Sequence, residues 1–349
     1  MNDKPAPSMI DLLTPIWQRA LKRSSICTDE NFFDLGGDAA AARQLFADIT
    51  QTCGRELEPA TICQAPTLAA LAKLLEEPST PQSPPLVLLR RGSKGPPIFI
   101  APGLGDSVLT FCHLVQKIDS PRPIYGLQAR GVNGVEEPLD RVEDMAERYL
   151  KGIRDLQPQG PYALIGASFG GLVMLEIAQR LSQDGKEVAL LSMLDTYPHK
   201  RFLSLGQRVR VAGRLVRRDV AKLIRLQGRE AFSYVVQRAK RRLRGLGSSS
   251  STMRFPPPDG ISLSPSVQRM RDGDYLAWTR YQPRFYRGRV RFVRAQVSLY
   301  FPEDAAAVWT PLVDRLGVDT VPGDHYGIIT TQFEALASVL SRHLRGASQ

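Results

Sequence analysis

The sequence predicts a small all-α domain of four-helix type followed by a larger α/β domain with a mainly parallel sheet. Three observations carry this. Apolar residues recur at helical spacing over 9–77, a proline-rich break follows at 78–85, and beyond it short apolar runs alternate with helical stretches over 86–346. At 349 residues the chain has room for two domains.

In the first region one apolar stripe runs through Leu13, Ile16, Trp17, Ala20 and Leu21, and a second through Ala42, Leu45, Phe46 and Ile49. Thr67, after Pro66, is a natural N-cap for a helix over Leu68–Leu75 with Leu71, Leu74 and Leu75 on one face. Pro78, Pro81, Pro84 and Pro85, interleaved with Ser, Thr and Gln, make a stiff non-helical linker. After it, Leu86–Leu89, Ile98–Ala101, Pro123–Leu127, Tyr162–Ile165, Val188–Leu194 and Val290–Val293 read as strands, and those without polar alternation suit burial on both faces. A further strand is expected over Val297–Phe301. Residues 197 to about 280 break the rhythm and read as a helical insertion between two late strands, with a flexible tract at Gly245–Thr252 and a stop at Pro256–Pro258.

With 43% hydrophobic and 23% charged residues the composition is that of a globular protein with a real core, which excludes a disordered chain. No apolar run reaches the roughly 18 to 20 residues of a membrane span, and the opening MNDKPAPSM lacks the basic start and apolar core of a signal peptide. A cytoplasmic location is expected. Cys27, Cys53, Cys63 and Cys112 are scattered without a C-x-x-C pair, so free thiols are expected and neither a metal site nor a disulfide framework. The net charge of +11 is concentrated: between Lys200 and Arg244 there are 15 Lys and Arg against Asp219 and Glu230, and the rest of the chain is net −2. One segment makes the protein basic, so nucleic acid is not the expected partner.

The chemistry centres on Gly166-Ala167-Ser168-Phe169-Gly170, a G-x-S-x-G between the strand at Tyr162–Ile165 and a helix bearing Leu172, Leu175, Ile177 and Leu181. In that context the pentapeptide is a nucleophile elbow, with a tight turn that exposes the hydroxyl and a helix N-terminus facing developing negative charge. A serine nucleophile needs a base, and the base an orienting acid. Of His113, His199, His325 and His343, His325 is favoured, because a loop histidine after the last strand region can reach the sheet edge. Two acids satisfy the chain order Ser, acid, His: Asp195 after Val188–Leu194, or Glu303 and Asp304 after Val297–Phe301. The oxyanion donors are expected to be the amide of Phe169 and one from the loop Ala101–Asp106, where Gly103 permits close approach. A dinucleotide fingerprint in that loop fails, because Val108 occupies its third glycine position.

Residues 86–346 resemble the thioesterase domains of nonribosomal peptide and polyketide synthases. The specific marks are GASFGG at Gly166–Gly171, Leu194-Asp195 followed by Tyr197-Pro198, Tyr281–Gly288 before a strand, and the Val-Pro-Gly-Asp-His run ending at His325. The resemblance implies an α/β-hydrolase fold with a helical lid, Ser168 as nucleophile, Asp195 as acid, His325 as base, and Gly103 and Phe169 as oxyanion donors. Asn31–Asp38 (NFFDLGGD), with Trp17 and Ala65-Pro66-Thr67, resembles the signature of peptidyl carrier proteins. There Asp38 caps a helix whose first residue carries the attached phosphodiester near the positive dipole end. This chain departs at that residue: Ala39 stands where carriers have the serine that accepts 4'-phosphopantetheine. Either the serine has been replaced or the domain serves docking alone, and the match all around Ala39 favours replacement.

The resemblance thus implies a carrier–thioesterase didomain that releases an acyl or peptidyl thioester. Its expected partners are upstream synthetase modules and, with serine at 39, a phosphopantetheinyl transferase. The rival readings are a proofreading thioesterase acting in trans and a scaffold whose basic insertion binds an anionic membrane or nucleic acid. Val209, Ala212, Val216, Val220 and Leu223 form an apolar stripe in that insertion. It is expected to pack over the active site with its basic face in water.

Overall fold

The computed structural model describes residues 8–55, 57, 59–76, 84–132, 136–225, 265–298 and 301–347. Most of the linker, Gly245–Thr252 and Pro256–Pro258 lie outside them.

The first domain packs α1 (Met9–Leu21), α2 (Ala39–Cys53) and α4 (Leu68–Glu76), with a single turn, α3 (Thr61–Gln64), between the last two. The two expected stripes supply the core: Leu13, Ile16 and Trp17 from α1 meet Ala42, Leu45, Phe46 and Ile49 from α2. Trp17 and Phe32 meet edge to face at 5.4 Å, and the amide of Phe32 donates to Pro66 O at 2.7 Å, which ties the glycine-rich loop to the Ala-Pro-Thr turn. Thr67 Oγ1 accepts from the amide of Ala70 at 3.2 Å, as its N-cap role requires.

In the second domain seven strands, β1 (Leu86–Arg90), β2 (Ile98–Ala101), β3 (Ile124–Leu127), β4 (Tyr162–Ala167), β5 (Val188–Leu194), β6 (Tyr286–Val297) and β7 (Val313–Asp324), form one sheet in the order β1-β3-β2-β4-β5-β6-β7. All neighbours are parallel except β1 and β3. α5 (Cys112–Lys117) covers one face, and α6 (Val142–Leu156) and α7 (Phe169–Gln183) cover the other. β2 and β4 are buried at every residue, as unbroken apolar strands between two helical layers must be.

Two expectations are corrected. Leu86–Leu89 is not buried on both faces: β1 is an antiparallel edge strand with alternating burial. Of the strand expected over Val297–Phe301, Val297 is the last residue of β6, Ser298 and Phe301 are outside any strand, and 299–300 lie outside the described residues. The residue that begins the expected strand is thus the end of one already paired with β7, through Asp324.

Between β5 and β6 lie two described helices of the insertion, α8 (Leu205–Arg225) and α9 (Pro265–Arg280). After β6 come α10 (Ala305–Trp309), then β7, α11 (Gly327–Thr330) and the last helix, α12 (Phe333–Gly346), which packs beside α5. The helical domain sits against this same side: His113 on α5 stacks on Phe333 at 5.7 Å and meets Phe33 at 6.1 Å, while Cys63 and Cys112 bring their sulfurs to 2.7 Å.

Candidate active site

Ser168 stands between the C-terminal end of β4 and the start of α7, at φ 50° and ψ −119°. Among the described residues only Lys22, Ser168 and Asp195 combine a side chain with a positive φ, so two of the three strained positions are expected site residues. The elbow exists because its neighbours are small. A Cβ on Gly166 would strike the backbone of Gly170 and Gly171, and one on Gly170 would strike the carbonyls of Ala101 and Pro102. Ser168 is fixed from behind by its own amide, which donates to Leu194 O at 2.8 Å.

His325 follows β7. Its Nε2 lies 2.9 Å from Ser168 Oγ and its Nδ1 lies 2.7 Å from Asp195 Oδ2. Asp195 ends β5, is 1% exposed, and its Oδ1 accepts from the amide of Ala295 on β6 at 3.1 Å. The backbone around it is pinned by two indoles: Trp309 donates to Thr196 O at 2.9 Å and Trp278 to Tyr197 O at 3.1 Å. The C-terminal ends of β4, β5 and β7 therefore bring His325 together with a carboxylate 130 residues and a serine 157 residues away in the chain.

The alternative acids do not reach His325. Asp304 Oδ1 accepts from the amide of Ala307 at 2.9 Å as a helix cap, and Glu303 pairs with Arg214 at 2.7 Å. The other histidines are occupied too. His113 is in the aromatic stack above, and His199 is wedged against Trp278 at 4.8 Å, with burial pushing its pKa down to about 4, helped by Lys200 and Arg201. His343 bonds Asp319 at 2.8 Å and lies 3.3 Å from Ser192 Oγ.

The expected oxyanion donors flank the serine. Phe169 opens α7, so its amide is among those a helix leaves without an internal acceptor. Gly103 lies so close that a Cβ on it would stand 3.4 Å from Ser168 Cβ and 3.5 Å from Asp106 Oδ2. A cavity of about 470 Å³ opens over these groups, walled by Leu104, Leu203, Trp278, Phe301 and Ile329.

Three charged residues beside the serine were not anticipated from the sequence. Asp106 lines the cavity, and burial pushes its pKa up to about 6 against the pull of Arg271, His325 and Arg43. Asp274 on α9 is 6% exposed and accepts from the amide of Gly105 at 2.9 Å. Burial, with Asp106 adding to it, holds Asp274 at about 7 although the Gly105 bond and Arg271 oppose this. Arg271, also on α9, lays its side chain against Gly105, which has φ +69° and no Cβ to obstruct it. The insertion thus grips the loop of Gly103 through Gly105. A Gly-Asp after an apolar run was the available signal, but nothing in its spacing points to residues 165 positions away.

Asp38 caps α2 as expected, its Oδ1 accepting from Ala40 and Ala41 at 2.9 and 2.8 Å, and Ala39 is the first residue of that helix. Alanine has no oxygen to form a phosphoester, so phosphopantetheine does not fit this position as the sequence stands. Arg43, one turn further along α2, is among the cations that act on Asp106, so this end of the helical domain lies on the cavity side.

Residues 11–75 match the family described as phosphopantetheine attachment site, and 96–245 the thioesterase domain, together more than half the chain. Among curated proteins, a dimodular nonribosomal peptide synthase of Bacillus subtilis (strain 168) is 40% identical over 190 residues, 54% of this chain and 8% of that protein. Indigoidine synthase of Dickeya dadantii (strain 3937) is 36% identical over 179 residues, 51% of this chain and 12% of the relative. The chain thus spans about a tenth of the length of these relatives. Among solved structures, a four-domain nonribosomal peptide synthetase, holo-AB3403, covers 98% of this chain with 26% of its own, at 23% identity and TM-score 0.55. The type II thioesterase BorB covers 76% of this chain with 98% of its own, at 20% identity and TM-score 0.51. Both share the fold, and for the second domain that fold is the α/β-hydrolase fold of thioesterases. A phosphopantetheine-attachment domain followed by a thioesterase domain, with nonribosomal peptide synthetases as relatives, makes this chain a carrier–thioesterase didomain.

Proposed function

We propose that the chain releases an acyl or peptidyl group from a pantetheine thioester through an acyl-enzyme on Ser168. The hydrogen-bonded chain Ser168, His325, Asp195 at the mouth of the cavity carries this reading. Ser168 Oγ attacks the thioester carbonyl while His325 Nε2 takes its proton. Asp195 holds the imidazole through Nδ1, and the amides of Phe169 and Gly103 receive the oxyanion. The C–S bond then breaks, His325 returns its proton to the leaving thiolate, and water or a nucleophile within the acyl chain opens the Ser168 ester. The apolar cavity walls suit a largely apolar acyl chain.

Because Ala39 cannot hold the arm, the thioester reaches Ser168 in this chain from another carrier or as a free pantetheine thioester. With serine at 39 the same cavity would be served in cis. Upstream synthetase modules are the proposed source of the acyl group, and a phosphopantetheinyl transferase the proposed partner of the serine form. Incubation with a fluorophosphonate should label Ser168 once per chain and abolish hydrolysis of acyl N-acetylcysteamine thioesters. Label on another residue, or hydrolysis that survives labelling, would refute the reading.

A further inference from the structure

The apolar stripe of the insertion is not packed over the cavity, contrary to the sequence expectation. On α8, Leu205, Val209, Val216 and Val220 are 73%, 61%, 53% and 48% exposed, the longest run of exposed large apolar residues among those described, and Ala212 beside them is also exposed. Leu223 lies where side chains are not described. The opposite face anchors the helix. Gln207 is buried and donates to Ala307 O at 3.3 Å, while Arg214 donates to Ser298 O at 3.0 Å and Phe301 O at 2.7 Å and pairs with Glu303. At about 100° per residue, Arg214 points roughly 140° to 160° away from Val209 and Val216. The helix is therefore held so that its stripe faces outward over about 22 Å of its length.

Exposed arginines flank the stripe: Arg208 on one side, Arg210 and Arg217 on the other. They belong to the segment from Lys200 to Arg244, which carries 15 basic residues against two acidic ones while the rest of the chain is net −2. An apolar stripe bordered by cations on a helix anchored from behind is the arrangement that lies in the headgroup layer of an anionic bilayer. Nucleic acid would use the cations but leave the valines without a role, and among the described residues no helix is long and apolar enough to cross a membrane. We propose that α8 is an interfacial helix through which the didomain binds an anionic phospholipid surface with its stripe of Leu205, Val209, Val216 and Val220.

The test is co-sedimentation of the full chain with vesicles of phosphatidylcholine alone and of phosphatidylglycerol mixed with phosphatidylcholine. Wild type should bind the anionic vesicles at least about ten-fold more tightly than the neutral ones. Val209→Gln with Val216→Gln, and separately Arg208→Gln with Arg210→Gln and Arg217→Gln, should each lower that binding by about ten-fold or more. All these positions are exposed, so melting temperatures should match wild type and separate lost binding from lost folding. Absence of binding to anionic vesicles overturns the proposal, as does a valine variant that binds like wild type, because the stripe then has no part. A valine variant that instead converts a dimer to a monomer in sedimentation velocity assigns the face to a second copy. Duplex DNA bound as tightly as the vesicles, with loss only in the arginine variant, assigns the charge to nucleic acid.

Discussion

Two Ser-His-Asp chains lie among the described residues of this domain, and only one has the surroundings that the proposed chemistry needs. Ser168, His325 and Asp195 meet at 2.9 and 2.7 Å; Ser192, His343 and Asp319 meet at 3.3 and 2.8 Å. Residue types and distances are nearly the same. Ser192, however, lies in the middle of β5, fully buried, with its backbone paired to Ile165 on one side and Arg291 on the other. Neither Ser192 nor His343 lines the cavity that opens over Ser168. His343 is 6% exposed, and burial pushes its pKa down although Asp319 pulls it up. On the proposed reading, what makes a triad is its frame: a strained elbow, an open cavity and amides left over at a helix start.

Removing each serine in turn should separate the two chains most strongly. Ser168→Ala should lower turnover of a thioester by about 10³ to 10⁶, whereas Ser192→Ala should leave it within a few-fold, both with native circular dichroism. Equal losses would mean that the buried chain supports catalysis. The acids come next. Asp195→Asn should cost about 10² to 10⁴ in kcat, because the imidazole is then held in the wrong tautomer. Asp319→Asn should instead cost about 1 to 3 kcal/mol of stability, read from denaturant unfolding, because it weakens the bonding of a buried imidazole. The double change Glu303→Gln with Asp304→Asn should affect turnover far less than Asp195→Asn.

A smaller effect separates the two chains by pH. Asp106 and Asp274 border only the open one, and both have raised pKa values, about 6 and about 7. A carboxyl whose folded pKa is raised lends stability below its unfolded pKa near 4 and loses it as pH rises through the folded value. Asp106 and Asp274 should therefore remove stability between about pH 4 and 7, against an opposite contribution from His199, whose lowered pKa adds stability as pH rises from about 4 to 6.5. Asp274→Asn keeps an oxygen for the Gly105 amide and should gain stability relative to wild type as pH rises from about 4 to 7, as equilibrium unfolding of both proteins across this range would reveal. Asp319→Asn acts on His343 and should leave the part of the slope that comes from Asp274 in place.

Much of this frame was legible in the chain. Ser168 declared itself because the strand, the glycines and the helix are contiguous, so one stretch holds both the residue and the reason for its strain. His325 followed from its loop. Asp195 could not be separated from Glu303 and Asp304 by spacing, since all three follow apolar runs near the sheet's end. What separates them is lateral: Asp195 is on the strand beside β4, while Glu303 turns toward Arg214. The hold of Asp274 on Gly105 and the outward stripe of α8 were not legible at all. Periodicity tells which residues share a helix face, not what that face meets.

The smallest expected effect concerns a third serine position, the one at which the frame is complete and the serine absent. Around Ala39 the Gly36-Gly37 turn, the Asp38 cap with its two amide bonds, and the Trp17–Phe32 contact are all in place. Ala39→Ser at the first turn of α2 should change stability by well under about 1 kcal/mol, because serine is only slightly less helix-favouring than alanine and Asp38 already satisfies the nearby amides. It should not alter hydrolysis of a free thioester by Ser168. Its consequence should appear with coenzyme A and a broad-specificity phosphopantetheinyl transferase: intact mass should rise by one phosphopantetheine in the variant and stay unchanged in the protein with Ala39. If frame makes function here as is proposed at Ser168, one oxygen suffices. A variant that folds but is never primed would show instead that the surface read by the transferase has been lost along with the serine, leaving a domain that only docks.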